Sequence, residues 1–274
     1  MLAQAMAFVM ELPALLLLLV AVVLAVAFAC GGQWYVHRRF PEEDFVRHNE
    51  VGGVIIAIAG TLYAVVLGFL TVAAWEHYVE ARRFVGIESA AAADAWHMAV
   101  GFPPVRRSRV RADLLAYSQL MVTREWPLMR SGRFDPQGDI LVMDAIGAAG
   151  TYKPADMGES NAQIETMTQL GTMHDMRQRR LAESTSDLGA FAWFVLLFGA
   201  ACITCFCWLF GAKNRRVHLL MTACVAVMVT SVLVLLFELQ YPFRTGLRIA
   251  PDDWTSTILH IRAMQSGTQP EMRM

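Results

Sequence analysis

The sequence predicts an all-α, polytopic membrane protein with four transmembrane helices and a helical soluble insert between the second and third. Three observations lead there. First, 56% of the residues are hydrophobic and only 17% are charged, where a soluble domain carries roughly 25% charged and 45–50% apolar residues. Second, the runs Leu12–Gly31, Val51–Trp75, Leu188–Ala212 and Val217–Phe237 hold no Asp, Glu, Lys or Arg. A helix of about 20 such residues crosses the roughly 30 Å hydrocarbon core, and lipid demands helices because it leaves backbone polar groups no water to bond. Third, no alternating strand pattern of useful length occurs anywhere between them.

The first span is expected to be retained. Its leading segment Met1–Glu11 has no Lys or Arg, and its apolar run exceeds the 7–15 residues of a signal peptide core. The second span continues without proline into "WEHYVEARRFVGIESAAAADAWHMAVGF", which Pro103 and Pro104 stop. Another helix is expected through "SRVRADLLAYSQLMVTREW", where Val110, Leu114, Leu115, Tyr117, Leu120 and Met121 recur at helical spacing. Asp135 before Pro136 reads as an N-cap and first-turn pair for a helix Pro136–Ala149, ended by Gly150 and Pro154. The last helix of the insert is expected over Ser160–Ser184. The third and fourth spans form a hairpin around "GAKNRRVH". The domain boundaries expected are thus 1–75, a first transmembrane pair; 76–187, the helical insert; 188–239, a second transmembrane pair; and 240–274, a short tail.

Charge excludes some roles. The net charge of −1 gives no global attraction to nucleic acid. The positive-inside rule does not orient the chain. Arg38, Arg39, Arg47, Lys213, Arg215 and Arg216 on one side balance Arg82, Arg83, Arg177, Arg179, Arg180, Arg244 and Arg248 on the other.

Catalytic signatures are missing: no Gly-x-Ser-x-Gly, Walker loop or His-Glu-x-x-His motif occurs. Glu76, His77 and Glu80, or Asp94 and His97, lack the Glu-x-x-His spacing of a di-metal bundle and read as solvated surface. No metal or cofactor is expected, and the chain is not read as an enzyme. Cys30, Cys202, Cys205, Cys207 and Cys224 all fall inside spans, where cysteine acts as a small hydrophobe. The polar residues nearest the membrane, Glu11, Asn49, Glu50, Glu76, His77 and Glu238, sit at span ends, where they anchor and cap. Arg106, Arg107, Arg109 and Arg111 crowd a helix start and read as a solvated face paired with local acids, or as an anion-attracting vestibule.

The second span carries the most distinctive pattern. Gly53, Ala57, Gly60, Ala64 and Gly68 share one face just beyond Asn49 and Glu50, while Ile55, Ile58, Leu62, Val65 and Phe69 share another. Small residues at such steps let helices approach closely, and the same smooth face suits a narrow apolar pore. Both readings stay open on spacing alone.

Six short motifs, "HNEVGG", "YAVVLGF", "WEHYVEAR", "REWP", "RQRRL" and "YPFRTGLRIAP", occur in order from His48 to Pro251. In them the chain resembles the bacterial bestrophin-like membrane proteins. The residues matching that pattern are Asn49, Glu50, Gly53, Tyr63, Gly68, Glu125, Trp126, Arg180, Pro242 and Phe243. Bestrophins proper are homopentameric anion channels whose second span forms the pore neck and whose helical region is cytosolic. The resemblance therefore implies an oligomeric channel for small anions in a bacterial inner membrane. The bulky aromatic neck set and the acidic calcium-clasp run of true bestrophins are missing here, so neither selectivity residues nor calcium dependence carries over. The alternative expectation is a non-conducting membrane scaffold or sensor, in which the small-residue face is only an intramolecular seam.

Overall fold

The structure is a computed structural model that describes residues 9–10, 12–40, 46, 49–212 and 214–266. Glu11, Arg47, His48 and Lys213 of the sequence reading lie outside the described residues, as does most of the leading segment. Among the described residues every regular element is helical. In chain order these are α1 (Ala14–Arg39), α2 (Asn49–Met98), α3 (Pro104–Leu120), α4 (Trp126–Arg130), α5 (Gln137–Gly150), α6 (Met157–Thr185), α7 (Gly189–Trp208), α8 (Arg215–Gln240) and α9 (Asp252–Gln265). Four of them, α1, α2, α7 and α8, are long and apolar enough to cross a membrane, as the composition requires.

Local chemistry sets most boundaries. Helix α1 ends at Phe40, whose extended backbone (φ −121°, ψ 144°) is what the residue before Pro41 must adopt. Helix α2 runs on because no proline interrupts it, and a 3₁₀ turn, Ala99–Gly101, closes it before Pro103.

Three insert elements differ from expectation. Helix α3 starts at Pro104, because proline suits a first turn that needs no N–H. It then widens into a π turn at Met121–Glu125, where the Trp126 N–H reaches back to Met121 O. Pro127 explains the widening: it lacks a donor and its ring crowds the carbonyl four residues back. Helix α6 begins at Met157 rather than Ser160, because Asp156 Oδ1 accepts from Glu159 N while Glu159 accepts from Ala155 N. That reciprocal capping box lies one turn before the expected start. The tail holds α9, which the sequence reading leaves unassigned.

The chain divides into two compact units. The first comprises Met1–Tyr78, Asp187–Tyr241 and Thr245–Leu247. In it α1 packs on α7 and α8, and α7 packs on α8. Helix α2 joins them through a core of Leu67, Ala74, Leu196, Leu236 and Leu239, flanked by Tyr63, Leu70 and Trp193. The second unit comprises Val79–Ser186, Pro242–Arg244 and Arg248–Met274. Here α3 packs on α5 and α9, and α5 on α6. The end of α2 and the 3₁₀ turn after it supply the buried alanines Ala81, Ala91, Ala92, Ala95 and Ala99.

Candidate functional site

Helix α2 presents three faces within the transmembrane unit. Its seam with the other spans is Gly52, Tyr63, Leu67, Leu70 and Ala74. Gly52 meets the rings of Phe206 and Phe210, and Leu67 is buried. Tyr63 donates to Leu196 O at 3.0 Å, and its ring occupies the space a side chain at Gly199 would need, with Cδ2 2.5 Å from that Cβ position. At 3.6 residues per turn the small-residue face lies about 90° round from this seam. A Cβ added at Gly53, Gly60 or Gly68 would meet nothing within 4 Å, and Ala57 and Ala64 are exposed. Ile55, Ile58, Leu62, Val65 and Phe69 form the third, outward face, with Leu62 64% and Phe69 72% exposed. The small-residue face therefore belongs to no seam among the described residues of this unit.

Asn49 and Glu50 part company. The Asn49 amide donates to Gly211 O at 2.8 Å and accepts from Gly211 N at 3.1 Å, tying the start of α2 to the turn after α7. Glu50 is exposed at the same helix end.

The remaining motif residues converge in the second unit. The π turn rotates Glu125 inward, where its side chain is fully buried. Glu125 Oε1 takes Arg177 Nη1 at 2.7 Å and lies 3.5 Å from Arg180 Nη2. Its Oε2 accepts from Asp135 N at 2.8 Å. Arg180, also fully buried, clamps Glu88 through Nε at 2.6 Å and Nη2 at 3.0 Å. The guanidinium carbon of Arg180 lies 5.0 Å from the Trp126 ring centroid. Trp126 donates Nε1 to Ile249 O at 3.0 Å and meets Phe243 edge to face, while Pro242 O accepts from Ile249 N. Thus Glu125, Trp126, Arg180, Pro242 and Phe243, spread over more than 100 positions, form one cluster.

Two members of that cluster, Glu88 and Tyr117, escape sequence reasoning, while Arg177 opens the motif "RQRRL" with no sign of its depth. Glu88 is a single acid beside an alanine run, and nothing local announces its depth. The Tyr117 hydroxyl donates to Glu88 Oε1. Burial, followed by the Glu88 charge, pushes that hydroxyl well above its ordinary value, so it stays a donor. Burial alone would lower the pKa of either guanidinium. Glu125, the Asp139 bond and Glu88 outweigh it at Arg177, and Glu88 outweighs it at Arg180, so both shift upward and stay charged. Two fully buried carboxylates thus face two fully buried guanidiniums, with Met121 and Met129 sulfurs taking leftover N–H groups. Such a charge-balanced network fixes one arrangement of α2, α3 and α6.

The basic run at α3 makes fewer acid pairs than expected. Arg106, Arg107 and Arg111 donate to the carbonyls of Ala148, Phe102 and Trp96, and Arg111 also stacks on Trp96 at 3.8 Å. Among the described residues Arg109 alone of the four pairs with an acid, Asp113 at 3.8 Å.

A helical chain with four membrane-length spans and a helical unit organised around buried arginine–glutamate clamps defines a polytopic membrane protein. Residues 23–253 match the model of the bestrophin-like domain, and the chain belongs to that family. Among curated protein sequences none matches it. Solved structures share its fold. A mutant of a bacterial bestrophin homologue from Klebsiella pneumoniae superposes with TM-score 0.68 at 14% identity, covering 88% of this chain and 99% of its own. The structure of the Klebsiella pneumoniae homologue phased on zinc gives TM-score 0.62 at 16% identity, covering 90% and 99%. At such identities the likeness establishes the fold.

Proposed function

We propose that this protein is an oligomeric membrane channel for small anions, with α2 lining the pore. The observation that carries the reading is the small-residue face of α2. Among the described residues nothing lies within 4 Å of a Cβ added at Gly53, Gly60 or Gly68, and Ala57 and Ala64 are exposed, while a separate face of the same helix serves the intramolecular seam. Copies arranged around an axis would bring these faces together as a smooth, narrow wall of the kind that conducts when wetted and closes when dry. Family membership supports the same arrangement, with a pentamer the expected oligomer, a bacterial inner membrane the location, and residues 76–187 a cytosolic insert. Asn49 holds the start of the pore helix to its own third span, and the buried clamps keep the far end of α2 rigid.

Chloride flux into proteoliposomes tests this. The parent is expected to conduct, and Gly60→Leu and Ala64→Leu should change the flux at least tenfold while the oligomer still assembles. Well-assembled parent protein that passes no anion under any ionic condition overturns the proposal. Misassembly of both variants, with chloride flux undetectable in the parent, points instead to a scaffold.

A further inference from the structure

We infer that His97 and His260 form a binding site for one divalent transition-metal ion, joining the end of α2 to the tail helix α9. Their Nε2 atoms lie 3.0 Å apart, with ring centroids 5.1 Å apart and ring planes inclined at 63°. Two bare imidazole nitrogens at that distance repel one another unless a proton or a cation sits between them. An ion held by both at the usual 2.0–2.1 Å subtends about 94°, close to the right angle of octahedral or square-planar coordination.

Both rings are positioned by buried neighbours. Trp96, 3% exposed, packs edge-on against His97 at 5.5 Å. On α9, Trp254 and Ile261 are fully buried, and Thr257 donates to Ser89 O of α2, which fixes the helix turn bearing His260. The charged groups that act on His97 are Asp94, one turn back on α2, and Arg111 of α3. Arg111 is already committed to Trp96 O and the Trp96 ring, while Asp94 is exposed and contributes the negative charge a cation wants.

Among the described residues no three His, Cys, Asp or Glu side chains converge, so water fills the remaining positions. Imidazole pairs select nickel, copper or zinc over magnesium and calcium, which prefer oxygen ligands. The site shares no residue with the proposed pore face, so it survives or fails independently of the channel reading.

The test uses full-length protein in detergent, freed of any affinity tag and stripped with a chelator. Equilibrium dialysis against micromolar NiCl₂ should give one ion per chain. At a hundredfold excess over the dissociation constant, the unfolding midpoint should rise by about 5 °C, whereas MgCl₂ or CaCl₂ should do neither. His260→Gln and His97→Gln should each lower the affinity at least tenfold, and His260→Cys should retain zinc binding. If the parent binds less than half an equivalent, or if His260→Gln and His97→Gln bind as well as the parent, the two rings are simply hydrogen-bonded and the inference is wrong. Should one variant fail to fold, the parent's stoichiometry and the other variant decide.

Discussion

Replacing Arg180 with methionine probes the buried clamp most sharply. Arg180 has no exposed side-chain surface and holds Glu88 with two hydrogen bonds of 2.6 and 3.0 Å. Methionine restores much of the volume but leaves Glu88 buried with only the Tyr117 hydroxyl among its present side-chain partners. Removing one partner of a buried ion pair costs about 3–5 kcal/mol, because the charge left behind loses its compensation. For a chain of this size roughly 2–4 °C accompanies each kcal/mol, so the unfolding midpoint should drop on the order of 10 °C. Intrinsic tryptophan fluorescence in detergent reads it directly, since Trp126 stacks on the guanidinium. Adding Glu88→Gln to Arg180→Met removes the stranded charge and should recover at least about 2 kcal/mol, the size of coupling expected between residues in one network. A single variant within 2 °C of the parent, or a double variant worse than the single, would refute the network.

Three further outcomes follow from the packing. Gly199→Ala should destabilise the transmembrane unit by about 1–3 kcal/mol, since its methyl group would meet the Tyr63 ring; Tyr63→Leu should relieve much of that cost in the same thermal assay. Asn49→Ala removes both bonds to Gly211 and should cost about 1–2 kcal/mol, with Asn49→Asp only partly restoring it because a carboxylate cannot donate to Gly211 O. Asp113 gives a pH signature. Burial, reinforced by Asp144 and opposed by Arg109, raises its carboxyl above the ordinary 3.8. The folded state therefore binds the proton more tightly than the unfolded state, and stability falls as pH climbs from about 3.8 through the folded value. Asp113→Asn should be more stable than the parent at pH 7 and show less of that decline, as read by midpoints across a pH series.

The sequence and the structure agree best where one physical force acts alone. Lipid forces long uncharged runs into helices, so the four spans are legible from composition. Proline and capping residues likewise mark most insert ends, although the Asp156–Glu159 box and the Pro104 start show how a boundary shifts by a turn when the stronger cap lies upstream. Pro127 marks an interruption at Met121–Glu125, but helical periodicity continues smoothly through "LMVTREW", and that the interruption takes the form of a π turn burying Glu125 is visible only in three dimensions.

The site residues divide in the same way. The small-residue face of α2 is visible from spacing, but which of its neighbours it avoids depends on the fold, since the actual seam through Tyr63 and Leu67 is equally helical in period. Glu125, Trp126 and Arg180 are marked by the family pattern. Their partner Glu88 is not, because a buried ion pair between residues 92 positions apart leaves no short-range signature. Tyr117 stands out only as an apolar-face residue, and its hydroxyl has a role that hydrophobic spacing conceals.

The proposed pore is tested most directly by thiol labelling during transport. With Cys30, Cys202, Cys205, Cys207 and Cys224 replaced by alanine, single cysteines are placed at Gly60 and at Leu62, on the small and outward faces of α2. Chloride flux is measured before and after adding a charged, membrane-impermeant thiosulfonate. The expected result is a Gly60→Cys protein that is labelled and blocked, beside a Leu62→Cys protein that conducts as before. Conduction by Gly60→Cys that is untouched by the reagent, or block confined to Leu62→Cys, would contradict a pore lined by this face.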